Sequence, residues 1–121
     1  MARASAAAEN AALNGLDGTG STNTIPYVSL HTADPGTTGA SENAATGGYA
    51  RQACTWNAAS GGTKTNATAL TFTTLGTVAV SYFGTWSAST AGTYSMGGAL
   101  GSSVTAATIT VAAGALSLSA T

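Results

Sequence analysis

The side chains able to do acid–base, nucleophilic or metal chemistry are few enough to take one at a time. His31 and Asp34 lie three residues apart and are a conceivable ligand pair. A zinc-type site needs three or four ligands, and the chain has no second His and a single Cys. His31 reads instead as the end of a strand, and Asp34 as the opening of the turn Asp34-Pro35-Gly36. His31 with one of thirteen Ser residues could form a base–nucleophile pair, but that needs an orienting acid and an oxyanion hole. No GxSxG elbow is present. Paired carboxylates for glycoside chemistry would have to come from Glu9, Asp17, Asp34 and Glu42, all within the first 42 residues on an expected helix, linker and loop. The expectation is no catalytic, cofactor-binding or metal site, and a non-enzymatic chain.

Three further features have a functional and a structural reading. Arg51 is a strand charge in a chain nearly devoid of charge; it either pairs with Asp34 or Glu42 to order the long loop or contacts a neighbouring subunit. Cys54 shares a strand face with Trp56, while Arg51, at odd spacing, points to the other face. Without adjacent positive charge, Cys54 reads as a small buried hydrophobe. Trp56, Trp86, Tyr82 and Phe83 could stack on sugars, with Asn57 and Asn66 the nearby amides. Core packing is the expected role, with Trp56 the surer core residue because its strand alternates cleanly. The single sequon Asn66-Ala67-Thr68 is expected by chance in a chain this rich in Thr.

The elements that must position these residues are built from small side chains. The 121 residues include 27 Ala, 22 Thr, 16 Gly and 13 Ser, and Leu, Ile, Val and Phe together number 17. Three basic and four acidic residues leave no basic patch, and none of them lies beyond Lys64. Phosphate-directed nucleic-acid binding therefore has no electrostatic basis. No apolar run reaches the ~20 residues of a membrane-spanning helix, and Glu9, Asn10 and Asn14 interrupt any secretory apolar stretch. Residues 4–16 predict a short helix with Ser5 as N-cap, followed by a polar linker to residue 24. Seven β segments then follow: 25–31, 49–57, 67–75, 77–86, 92–100, 104–111 and 114–120. In the first, Tyr27, Ser29 and His31 face one way and Val28 and Leu30 the other, with Pro26 at an edge or at the strand's start. In the fourth, Val78, Val80 and Tyr82 share a face, and Gly84-Thr85-Trp86 breaks phase through a bulge. The last two segments form a closing pair. The fold class is mainly β: a single antiparallel β-sandwich with a short N-terminal α-helix. Residues 1–24 are the anchoring segment, and 25–121 the sandwich.

The stretches YVSLHTADPGTTGASE, GGYARQACTWNAASGGTKTN and YFGTWSASTAGTYSMGGAL resemble a family of small tailed-bacteriophage virion structural proteins, whose relatives carry tail-fibre or minor-structural labels. The likeness spans about residues 5–119. The loop after Glu42 departs from the pattern in reading NAAT where a larger aliphatic residue is expected. The resemblance implies a structural role in the virion, assembled in the bacterial host cytoplasm. Within that class the expected role is a capsid decoration or cement protein, because the chain has neither a fibre repeat nor a coiled-coil shaft. The alternative is a tail-fibre, tail-tip or baseplate module contacting host glycans. Expected partners are other virion proteins, the major capsid protein foremost, and the chain itself as a trimer. No cofactor, nucleic acid or membrane is expected.

Overall fold

The computed structural model describes residues 12, 14, 15, 25–43, 48–74 and 76–119. Ala12, Asn14 and Gly15 are helical; the rest of the helix expected over 4–16, and the linker after it, lie outside the described residues. Eight strands are described: β1 Tyr27–His31, β2 Gln52–Ala53, β3 Thr63–Thr65, β4 Leu70–Thr73, β5 Val80–Trp86, β6 Tyr94–Val104, β7 Thr108–Val111 and β8 Ser117–Ser119. All pairings between them are antiparallel, and the fold is mainly β as expected.

The strands form one four-stranded sheet in the order β2-β1-β5-β6 and two two-stranded ribbons, β3-β8 and β4-β7. The ribbons correct the expected closing pair. β7 joins β4 and β8 joins β3; in the first of these ribbons cross-strand apolar contacts decide the partner. Leu70 faces Val111 and Phe72 faces Ile109, all four buried, while the alternate Thr residues are exposed. β3 falls where the sequence suggests only the end of a turn. Its central Lys64 is wholly buried, so the usual reading of a charged residue as solvent-facing fails there.

β1 starts right after Pro26, which has no N–H to give a ladder. It then lies inside the sheet, between β2 and β5, so Pro26 marks a strand start and not an edge. The segment expected over 49–57 keeps only two residues of strand, and Trp56 adds an isolated bridge to Asn66. Val78 is exposed outside β5 and Val80 is wholly buried, so these two do not share a face with Tyr82. The β5–β6 register shifts between Val80 and Tyr82 and again between Gly84 and Trp86, the second where a bulge is expected.

One connected core takes Ile25, Val28, Leu30, Trp56, Phe72, Phe83 and Leu118 among its members, drawing on the sheet and both ribbons. Asn66 staples the ribbons together. Its Nδ2 donates to the Thr68 and Ala112 carbonyls, and its Oδ1 accepts from Leu116 N–H at 2.9 Å. A buried amide with its donors and acceptor engaged adds specificity without leaving an orphan group.

Candidate functional site

β1 is buried on both faces. Val28 and Leu30 enter the apolar core, while Ser29 and His31 turn to the opposite face, as their alternation predicts. That second face is roofed by the loop over 32–43. The loop opens with an Asx turn, Gly36 N–H donating to Asp34 Oδ1 at 2.9 Å, and returns to the strand through Thr32 N–H to Ser41 O and Asn43 N–H to Leu30 O. Two glycines make room beneath it. Gly84 faces Ser29, and a Cβ there would lie 2.8 Å from His31 Nε2 and 2.9 Å from Ser29 Oγ. Gly39, at φ +76°, brings the loop backbone against the Trp86 indole, where a Cβ would meet Cη2 at 2.6 Å.

A directed hydrogen-bond chain crosses this face. His31 Nδ1 lies 2.6 Å from the Ala40 carbonyl, which can only accept, so Nδ1 carries the proton. Nε2 of the neutral ring then accepts from Ser29 Oγ–H at 2.6 Å, and Ser29 Oγ accepts from Trp86 Nε1–H at 2.7 Å. Burial lowers the His31 pKa, outweighing the opposing Ala40 bond and Glu42 charge, and so favours the neutral ring this chain requires. Ser29 and His31 thus sit at nucleophile–base distance, yet both are fully buried, and the hydroxyl proton points at the ring from beneath an indole. The arrangement fastens the loop to the sheet.

Beside the chain lies an ion pair. Arg51 Nε and Nη2 grip the two Glu42 carboxylate oxygens at 2.9 Å each, a bidentate geometry. Its Nη1 donates to the Ala88 and Ala91 carbonyls at 3.0 and 2.8 Å, and its guanidinium lies 3.7 Å from the centre of the Trp86 ring. Ala91 holds a left-handed φ of 52° to present that carbonyl. Tyr49 O–H donates to Glu42 and accepts from Leu30 N–H. Burial alone would raise the Glu42 pKa, but the Arg51 and Tyr49 bonds and the Arg51 charge bring it below the ordinary carboxylate value. Tyr49 is pushed up, first by burial. Tyr94 packs edge-on against Trp86 at 5.3 Å. A cleft of about 320 Å³ opens between Glu42, Arg51 and the 89–91 loop, but the charged groups on its wall are already bonded to one another.

The sequence candidates therefore divide. Arg51 takes Glu42 and not Asp34, ordering the loop as the first of its two readings requires. His31 and Asp34 make separate bonds, and among the described residues no three His, Cys, Asp or Glu groups cluster as metal ligands. Glu9 and Asp17 lie outside the described residues. Cys54 is buried and its thiol is pushed up to about 12 by that burial. The four aromatics do not form one platform. Trp56, with Nε1–H on the Ile25 carbonyl, and Phe83 are core residues, whereas Trp86 lies on the opposite face under Arg51. The amides proposed to assist them, Asn57 and Asn66, are engaged with Thr65 and with the ribbon backbone. Sequence reasoning missed the role of Ser29, although its shared parity with His31 was readable, and missed buried Lys64 altogether.

The family model described as Podophage GP4 fiber I protein gp80 matches residues 3–119. No curated protein matches the chain.

Proposed function

The chain belongs to the Podophage GP4 fiber I protein gp80 family, and from that premise we propose that it is a structural subunit of the virion fibre. It is a phage structural protein and a component of the virion. Of the two placements the sequence leaves open, capsid surface and tail fibre, the family's description supports the fibre, and this match is the observation that carries the reading. The geometry supports a building role. The ion pair and the histidine chain hold the loop over 32–43 against the sheet, with their polar atoms spent on one another. In this reading residues 1–24 supply the attachment segment, the β body the module it attaches, and the partners are other virion proteins and further copies of the chain. Gold-labelled antibody against the β body, applied to intact particles, should decorate the fibres. Label spread over the head surface would overturn the placement and return the decoration reading.

A further inference from the structure

We propose that Lys64 and Asn14 become joined by a self-catalysed isopeptide bond between Nζ and Cγ, tying the N-terminal segment covalently to the β body. Three features of the site carry this. First, the reacting groups are already together across 50 residues of sequence: Lys64 Nζ lies 3.0 Å from Asn14 Oδ1. This hydrogen bond holds the amine against the carboxamide whose Cγ it would attack, so much of the loss of freedom that dominates a bimolecular aminolysis has been met by folding. Second, the Asn14 carbonyl is polarised. Ala59 N–H donates to the same Oδ1 at 2.8 Å, where negative charge develops as an amine adds to Cγ. The Asn57 carbonyl, 2.7 Å from Nζ, holds the amine in place from another side. Third, the nucleophile is shut away from water. Lys64 heads the fully buried side chains by volume, at 0% exposure in the middle of β3, opposite buried Leu118. Water exclusion protects such a step from competing hydrolysis.

The bond changes balance without an outside reagent. The Nζ lone pair forms the new bond to Cγ, and the Cγ–Nδ2 bond breaks. Nδ2 leaves as ammonia, taking up a proton that Nζ gives up. Counted from the charged lysine, ammonium plus carboxamide becomes secondary amide plus a free ammonium ion. In a fibre subunit the bond would carry load from the attachment segment into the body; that use rests on the reading above, the bond itself does not.

The test is made on the full-length protein, purified after folding and then denatured. Its intact mass should fall short of the sequence mass by one ammonia. The neighbouring pair Asn14-Gly15 could lose the same ammonia by closing a succinimide, so mass alone does not decide. Trypsin separates the two. An isopeptide blocks cleavage after Lys64 and leaves residues 4–51 joined to 52–121 in a denaturing gel, although the chain is cut at Arg51. The Lys64→Met variant should show the full sequence mass. A free 52–64 peptide from the wild-type digest or a full wild-type mass would each overturn the proposal. The wild-type digest decides even if the variant does not fold.

Discussion

Replacing Arg51 by Met isolates what the ion pair contributes. The substitution keeps a long side chain on the Trp86 indole and removes every N–H donor. Glu42 then loses two of the three hydrogen bonds to its carboxylate and keeps only Tyr49. The pair is well withdrawn from water, with side-chain exposures of 8% for Arg51 and 23% for Glu42. Stranding one member of a buried pair costs about 3–5 kcal/mol. The Ala88 carbonyl and the exposed Ala91 carbonyl can turn to water, and Glu42 keeps some access to solvent, so the lower end applies, about 3 kcal/mol. At roughly 4 °C per kcal/mol for a domain of this size, Tm should fall by about 12 °C. The deficit must also depend on pH. In the wild type the Glu42 pKa is lowered, so its contribution is present above the ordinary value of 4.5 and is lost as pH falls through the folded value. Without Arg51, burial is left to raise that pKa, and the variant protonates Glu42 earlier. Urea titrations at pH 7 and pH 4 should therefore show the gap between the two proteins narrowing in acid. A loss under ~1 kcal/mol at pH 7, or a gap that does not change with pH, would refute the reasoning.

Trp56→Ala should cost about 3–5 kcal/mol by chemical denaturation, because the indole is 9% exposed and its N–H is bonded to the Ile25 carbonyl; a near-neutral result would remove it from the core. Gly84→Ala pushes a methyl to within 2.8 Å of His31 Nε2; a destabilisation of about 1–3 kcal/mol, with faster hydrogen exchange in the loop over 32–43, is expected. The wild type should lose stability in acid in two stages. The His31 pKa is lowered in the folded state, so the unfolded chain takes up that proton first and stability falls as pH drops through 6.5 toward the folded value. Glu42 adds a second loss below 4.5. His31→Gln should abolish the upper stage and leave the lower, as read from Tm between pH 7.5 and 3.5.

The local chemistry was legible in the sequence, and the long-range pairing was not. The alternation of Val28 and Leu30 against Ser29 and His31 and the turn at Asp34 follow from neighbours within about a strand's length, whereas the choice of Glu42 over Asp34 as the partner of Arg51 needed the folded loop. The ribbons β3-β8 and β4-β7 do not follow from such neighbours either. Ser117–Ser119 and Thr63–Thr65 alternate small hydroxyl residues around one central side chain, and such strands carry no pattern that selects one partner over another. Lys64 compounds the problem, since its burial depends on acceptors from Asn14 and Asn57 that only the folded chain assembles. The same holds for the histidine chain. His31 and Ser29 announce themselves two residues apart, but the indole that closes the chain comes from 57 residues away. Trp86 shows the limit of composition arguments most clearly. A large aromatic among small residues is expected in the apolar core, and here it lies on the other face, between a guanidinium and a tyrosine ring.

The copy number of the chain per particle, measured by quantitative mass spectrometry of purified virions against the major capsid protein, tests the fibre assignment most directly. A fibre subunit should be present at a small multiple of the tail's rotational symmetry, far below the shell protein. A count that matches the capsid lattice, one copy or one trimer for each lattice position, would contradict it.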